Sequence, residues 1–336
     1  MRFADWLQLG SIWLAVVIAI GPLTTYGQPK AKPPGQPAVG FGGRDYAFMD
    51  VRVTAYGEGA EAYWILEPRK RSEKPLPVVL FLHGLNLPHY AGYQSWIHHL
   101  VKRGNIVVFP RYQAHGIVDP KTFTTEAAKA ARSAITKCDG MDHVEADPDR
   151  LAMIGHSLGG TIIANLAARP EHFGLPVPKA LMHLQTSDTK ADSGLGALLP
   201  SISQDHSTIA KGTLMLVVDV EDDWIVGPKA GQRILDAAEK VNAADKRRLL
   251  LRSDTHGVPA LIAGHSVPVA WTHEPGRGSG STNALDYALW RWFDALQAVA
   301  NGDDDHRGLV FGEAALDLGT WSDGTPVRPP IEPAAK

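Results

Sequence analysis

Short, mainly apolar runs alternate along most of this chain with longer stretches in which apolar residues recur every three or four positions. The runs at residues 78–82, 106–109, 151–154, 180–184, 214–218 and 248–251 are the length of strands and rich in Val, Ile, Leu and Phe, which predicts strands buried on both faces. Between them lie helical patterns. Residues 93–103 carry Trp96, Ile97, Leu100 and Val101 at helical spacing and stop at Gly104, and residues 122–137 are rich in alanine. Further helices are predicted over residues 161–168, ending before Pro170, over 228–240, and over 283–300, where Leu285, Ala288, Leu289, Trp292 and Phe293 form one stripe. Residues 49–55 and 60–66 read as two strands joined by the turn Tyr56-Gly57-Glu58-Gly59, and Asp147-Pro148-Asp149 reads as a turn. The expected fold class is α/β, a mostly parallel, doubly wound sheet with an antiparallel amino-terminal edge.

Bulk composition narrows the function more than the fold. The chain has 336 residues, 44% hydrophobic and 21% charged, with a formal net charge of −3 and no long basic run, so neither nucleic acid nor an anionic membrane is an expected partner. Arg2 followed by the apolar residues 12–23 predicts a signal peptide within residues 1–27 and a secreted or periplasmic protein, an uncleaved membrane anchor being the alternative. Residues 28–43, rich in proline and glycine, read as a linker; 44–302 as one catalytic domain; and 303–336 as an extension with a loose, proline-rich end. Cys138 is the only cysteine, which excludes an intramolecular disulfide.

The chemistry concentrates at Gly155-His156-Ser157-Leu158-Gly159, between the strand at 151–154 and the helix at 161–168. A G-x-S-x-G pentad at a strand-to-helix junction is a nucleophile elbow. The turn strains the serine backbone, and a Cβ two residues to either side would strike the neighbouring strand or helix. Ser157 is thereby the candidate nucleophile.

With the strand at 78–82 ending in His83-Gly84, the acidic loop Glu221-Asp222-Asp223-Trp224 after the strand at 214–218, and His256 after the strand at 248–251, the chain resembles the α/β-hydrolase superfamily from about residue 51 to about residue 302. The short polar insert at 185–211 and the His83-Gly84 run resemble the chlorophyllase, dienelactone hydrolase and polyester hydrolase branch, and imply no large cap domain. A serine hydroxyl needs a base, and an imidazole has the right pKa. His256 is preferred because a short tether from the last strand brings it over the elbow; His265 is the alternative. Asp219, Glu221, Asp222 and Asp223 all lie in range as the orienting acid, and the family pattern favours Asp223 over Asp222. The resemblance assigns the oxyanion hole to the amides of Leu158 and Leu85, with Gly84 as the alternative donor. Gly84, Tyr90, His156 and Trp224 are expected to touch substrate; Tyr93 either joins them or packs its helix on the sheet, and His115 lies near a strand end. The implied protein is a serine hydrolase, a monomer, cleaving a small-molecule, lipid or polymer ester through an acyl-enzyme. It needs no cofactor or metal. An acyltransferase, a peptidase or thioesterase, and a non-catalytic surface binding module are the alternatives.

Overall fold

The computed structural model describes residues 30–113, 119–138, 140, 142–188, 201–269 and 282–333. The segment expected to be a signal peptide, the middle of the polar insert and His115 lie outside the described residues. From Ala31 onward the chain forms one unit around an eight-stranded sheet. The strands are β1 (Val51–Tyr56), β2 (Tyr63–Pro68), β3 (Leu76–Leu82), β4 (Ile106–Pro110), β5 (Ala146–His156), β6 (Ala180–Leu184), β7 (Leu214–Val220) and β8 (Lys246–Leu251). Their order is β1-β2-β4-β3-β5-β6-β7-β8. β1 pairs antiparallel with β2, and β2 with β4, while every pairing from β4 to β8 is parallel. Asp147-Pro148-Asp149 is not a turn but the start of β5, tolerated where the β3–β5 register shifts between Pro77 and Val79.

Alternation along each strand sends successive side chains to opposite faces. Val79 and Phe81 join the core beneath α1 (Gln94–Lys102) and α6 (Ala284–Ala300), whereas Val78, Leu80 and Leu82 join the core beneath α2 (Phe123–Cys138), α3 (Leu158–Ala168) and α5 (Lys229–Ala237). Both faces of the central parallel strands are thus covered, as their hydrophobicity requires, whereas the edge strand β8 alternates buried and half-buried positions. Two short helices, α4 (Pro170–Phe173) and α7 (Gly308–Phe311), complete the set among the described residues. Among these residues no helix is long and apolar enough to cross a membrane.

The order reverses at β3: the chain leaves it for β4 on one side and then crosses to β5 on the other. In open α/β sheets such a reversal opens a crevice at the carboxyl ends of the strands. Here Leu82 is paired with Gly155, so the segments leaving β3 and β5, His83-Gly84 and Ser157, emerge side by side.

Both terminal segments are more firmly seated than their composition suggests. Ala31 is buried and its carbonyl accepts the amide of Val258, while the amide of Gly42 donates to Asp294 Oδ2 on α6 at 2.8 Å. Residues 31–43 are a strap on the catalytic unit rather than a tether. The carboxyl-terminal end is not loose either: Trp321 and Val327 are buried, and Ile331 bridges Leu250 on the edge strand β8. A proline-rich strand edge blocks further pairing, which suits this composition to covering an open sheet edge.

Candidate active site

Ser157 sits between β5 and α3 with φ 53° and ψ −119°, in the strained conformation that an elbow imposes on a non-glycine residue. The flanking glycines are steric necessities. A Cβ on Gly155 would lie 2.3 Å from the carbonyl oxygen of Gly159, and one on Gly159 would lie 2.4 Å from that of Leu82. The Ser157 hydroxyl is 3.1 Å from the hydroxyl of Ser187, whose amide donates to the Ser157 carbonyl. Nothing in the composition of the polar insert singled out Ser187; the adjacency of β5 and β6 puts it there.

Gly84 packs directly against the elbow, since a Cβ on it would fall 3.2 Å from Ser157 Cβ and 3.1 Å from His156 Nδ1. The amide of Leu87 donates to the Gly84 carbonyl, closing a turn in which Asn86 takes a positive φ of 65°. Gln113 clamps that turn twice: its Oε1 accepts the Asn86 amide at 2.9 Å and its Nε2 donates to Asn86 Oδ1 at 2.8 Å. Leu85 is held between these fixed residues, with its side chain half exposed. Leu158 opens α3, so its amide has no acceptor within the helix. The amide of Gly84, the alternative donor, is engaged by Tyr93 Oη at 2.9 Å. Below the loop, His83 is buried and stacked on Tyr112 with ring centroids 4.0 Å apart. Burial lowers the pKa of its imidazole to about 4.

Asp223 pairs with His265 and not with His256. His265 Nδ1 donates to Asp223 Oδ2 at 2.8 Å, and Asp223 Oδ1 accepts the amides of Ile225 and Val226 at 3.0 and 2.9 Å. His256 is exposed, with Nε2 donating to Asp323 Oδ2 at 2.7 Å and its ring edge-on to Trp321. The preference for His256 is corrected by the path of the chain. After β8, Asp254 and Leu261 bridge antiparallel, so residues 255–260 form an excursion toward the carboxyl-terminal segment and carry His256 away. The chain then returns, and Gly264 bridges Asp222 in parallel, placing the next residues, His265 and Asp223, side by side. The short tether leads outward before it leads back.

The other acids have different partners. Asp222 accepts the Ser253 hydroxyl, and Glu221 accepts the Arg328 guanidinium at 2.6 Å. Asp219 is buried against Arg248 at 2.6 Å, and burial outweighs that partner, raising its carboxyl to about 6. Of the residues expected to touch substrate, Trp224 is 88% exposed beside Asp223, and Tyr90 is half-buried, stacked on His89. His156 is buried, with Nδ1 accepting the Tyr93 hydroxyl at 2.7 Å and Nε2 donating to the carbonyl of His265 at 2.9 Å. Tyr93 packs on the sheet near Phe81, but its hydroxyl turns to the elbow, a role its helical spacing did not reveal.

The family model described as chlorophyllase matches residues 44–184, which covers β1 to β6 and therefore the His83-Gly84 loop and the elbow, but neither Asp223 nor His265. The chain is also 30% identical over 145 residues to a non-reducing polyketide synthase, ascC, of Acremonium egyptiacum. That match takes in 40% of this chain and 7% of the synthase, so the chain spans only a small part of its length. With the eight-stranded sheet and the strained serine elbow, the chain has the α/β-hydrolase fold, and its residues 44–184 are similar to the chlorophyllase family.

Proposed function

We propose that this protein is a serine hydrolase that cleaves a carboxylic ester through an acyl-enzyme, with Ser157 as nucleophile, His265 as general base and Asp223 as the acid that orients it. The observation that carries this reading is the Asp223–His265 pair, whose histidine carbonyl is bound by His156, the residue before Ser157. A carboxylate that accepts the Nδ1–H hydrogen bond keeps that proton on Nδ1, so the bare Nε2 can accept the serine proton as the carbonyl is attacked. The developing oxyanion would be met by the amides of Leu158 and Leu85, an arrangement whose single donors are worth about 3 to 4 kcal/mol of barrier. The substrate is a small-molecule, lipid or polymer ester, with Trp224 contributing an apolar surface beside the acid loop. Export follows from the pattern of residues 1–27.

A fluorophosphonate probe and p-nitrophenyl esters of graded acyl length test this reading. Labelling should fall on Ser157, and Ser157→Ala should abolish both labelling and turnover. Retained turnover in that variant, or a wild-type protein that neither labels nor turns over, rejects it. Similarity to a segment of a polyketide synthase favours acyl transfer on the same serine as the second reading. Addition of an alcohol separates the two, because a transferase yields the new ester at the expense of the free acid.

A further inference from the structure

Three hydrogen bonds in series join the oxyanion loop, the elbow and the base loop. The Gly84 amide donates to Tyr93 Oη at 2.9 Å, Tyr93 Oη lies 2.7 Å from His156 Nδ1, and His156 Nε2 lies 2.9 Å from the His265 carbonyl oxygen. Only one placement of protons serves all three with a neutral ring. A carbonyl can only accept, so His156 carries its proton on Nε2; Nδ1 is then an acceptor, and the phenol must donate to it. The phenol oxygen is left to accept from the Gly84 amide. Both side chains are wholly enclosed, so a missing proton or acceptor in this series would go without compensation from water.

We propose that Tyr93 and His156 form a positioning relay that sets the distance between the oxyanion loop and the loop bearing the catalytic base. The proposal rests on the hydrolase reading above for its functional consequence. His265 is fixed at two points: its side chain by Asp223 Oδ2 and its main chain by His156 Nε2. Asp223 alone fixes one ring nitrogen but leaves the backbone of the loop free to shift; the carbonyl anchor removes that freedom. At the other end, the phenol holds Gly84, on which a Cβ would lie 3.2 Å from Ser157 Cβ, a tight approach. Neither Tyr93 nor His156 touches the reacting atoms in this scheme, and both act through the residues they hold. Catalytic groups must stand within about 0.5 Å of the productive geometry, and a displacement of about 1 Å lowers turnover by about 100-fold.

Tyr93→Phe keeps the ring among Phe81 and Phe109 while deleting the hydroxyl. The expected result on p-nitrophenyl butyrate is a fall in kcat of about 10- to 100-fold with KM within about twofold, and a parallel slowing of fluorophosphonate labelling at Ser157. An unchanged kcat in folded Tyr93→Phe, with Ser157 still the labelled residue, overturns the relay while leaving the hydrolase reading intact. A second measurement needs neither the variant nor activity. Nitrogen-15 spectra of the histidine side chains in the wild-type protein at neutral pH should show His156 as the neutral Nε2–H tautomer. The Nδ1–H tautomer, or a doubly protonated ring, would overturn the proposal even if Ser157 proved inert.

Discussion

His265 Nδ1 donates to Asp223 Oδ2 at 2.8 Å across 42 residues of chain, and His256, the nearer histidine to the last strand, is bonded to Asp323 instead. The two histidines therefore make opposite predictions. His265→Ala should lower kcat by about a thousandfold or more, and Asp223→Asn should come close to it, because the amide favours the wrong tautomer. His256→Ala should leave kcat within about twofold, since its one side-chain hydrogen bond, to Asp323, is solvent-exposed and separate from the Asp223–His265 pair. Ester turnover by the three purified variants checks this; a collapse in His256→Ala with normal activity in His265→Ala would reverse the assignment.

The elbow glycines predict a sharp contrast in stability. Gly159→Ala sets a methyl group 2.4 Å from the Leu82 carbonyl and 2.7 Å from that of His83, both backbone atoms that cannot turn aside. A loss of about 3 kcal/mol or more, read by urea unfolding, is expected, along with loss of activity. Gly308→Ala meets nothing within 4 Å and serves as the control, with no measurable loss.

Truncation of the carboxyl-terminal segment should be costly even though composition marks it as dispensable. Trp321 is buried and its indole donates to Asp254 Oδ2 at 2.9 Å, the same carboxylate oxygen that accepts the Arg328 amide. Trp321→Ala should destabilise the fold by about 3 to 5 kcal/mol. If thermal unfolding of that variant matched the wild type, residues 318–333 would be an ornament on the domain and not part of it.

Buried histidines predict acid lability. Burial lowers His183 from its ordinary 6.5 to about 4, and its Nδ1 donates to the Gly160 carbonyl at 2.9 Å. Between those two values the unfolded chain binds a proton that the native state refuses. The contribution is therefore fully present above about pH 6.5 and lost as the pH falls toward 4, at up to about 1.4 kcal/mol per pH unit for one such group. His83 and His206, also lowered to about 4 by burial, add to the same slope. Urea titrations at about pH 7 and about pH 5 should show the loss, and His183→Phe should shrink it; a stability independent of pH over this window would contradict the buried, neutral state of these rings.

Much of this molecule was legible in one dimension. The apolar runs located six of the eight strands within the parallel and central part of the sheet, because a strand covered on both faces has no polar side to interrupt it. The elbow was equally legible: the serine and its two indispensable glycines lie within five residues, so their mutual geometry is a local matter of φ, ψ and Cβ volume. Asp147-Pro148-Asp149 misled, since a turn composition was absorbed into β5 at a register shift.

Which distant groups meet depends on the folded arrangement of the sheet and its loops. Two histidines, nine residues apart, follow the same strand, and no local rule chooses between them. The choice is made by the bridge between Asp254 and Leu261, which turns His256 outward, and by the bridge between Asp222 and Gly264, which brings His265 back beside Asp223. The same is true of Tyr93, whose helical spacing marks it as a packing residue and whose hydroxyl reaches His156 only because β3 and β5 are neighbours. The amino-acid sequence by its own local rules determined the serine elbow and the sheet that presents it, through steric and hydrophobic effects acting over a few residues. The pairing of His265 with Asp223 is a hydrogen bond between loops far apart in the chain, and it exists only once the sheet has set their separation.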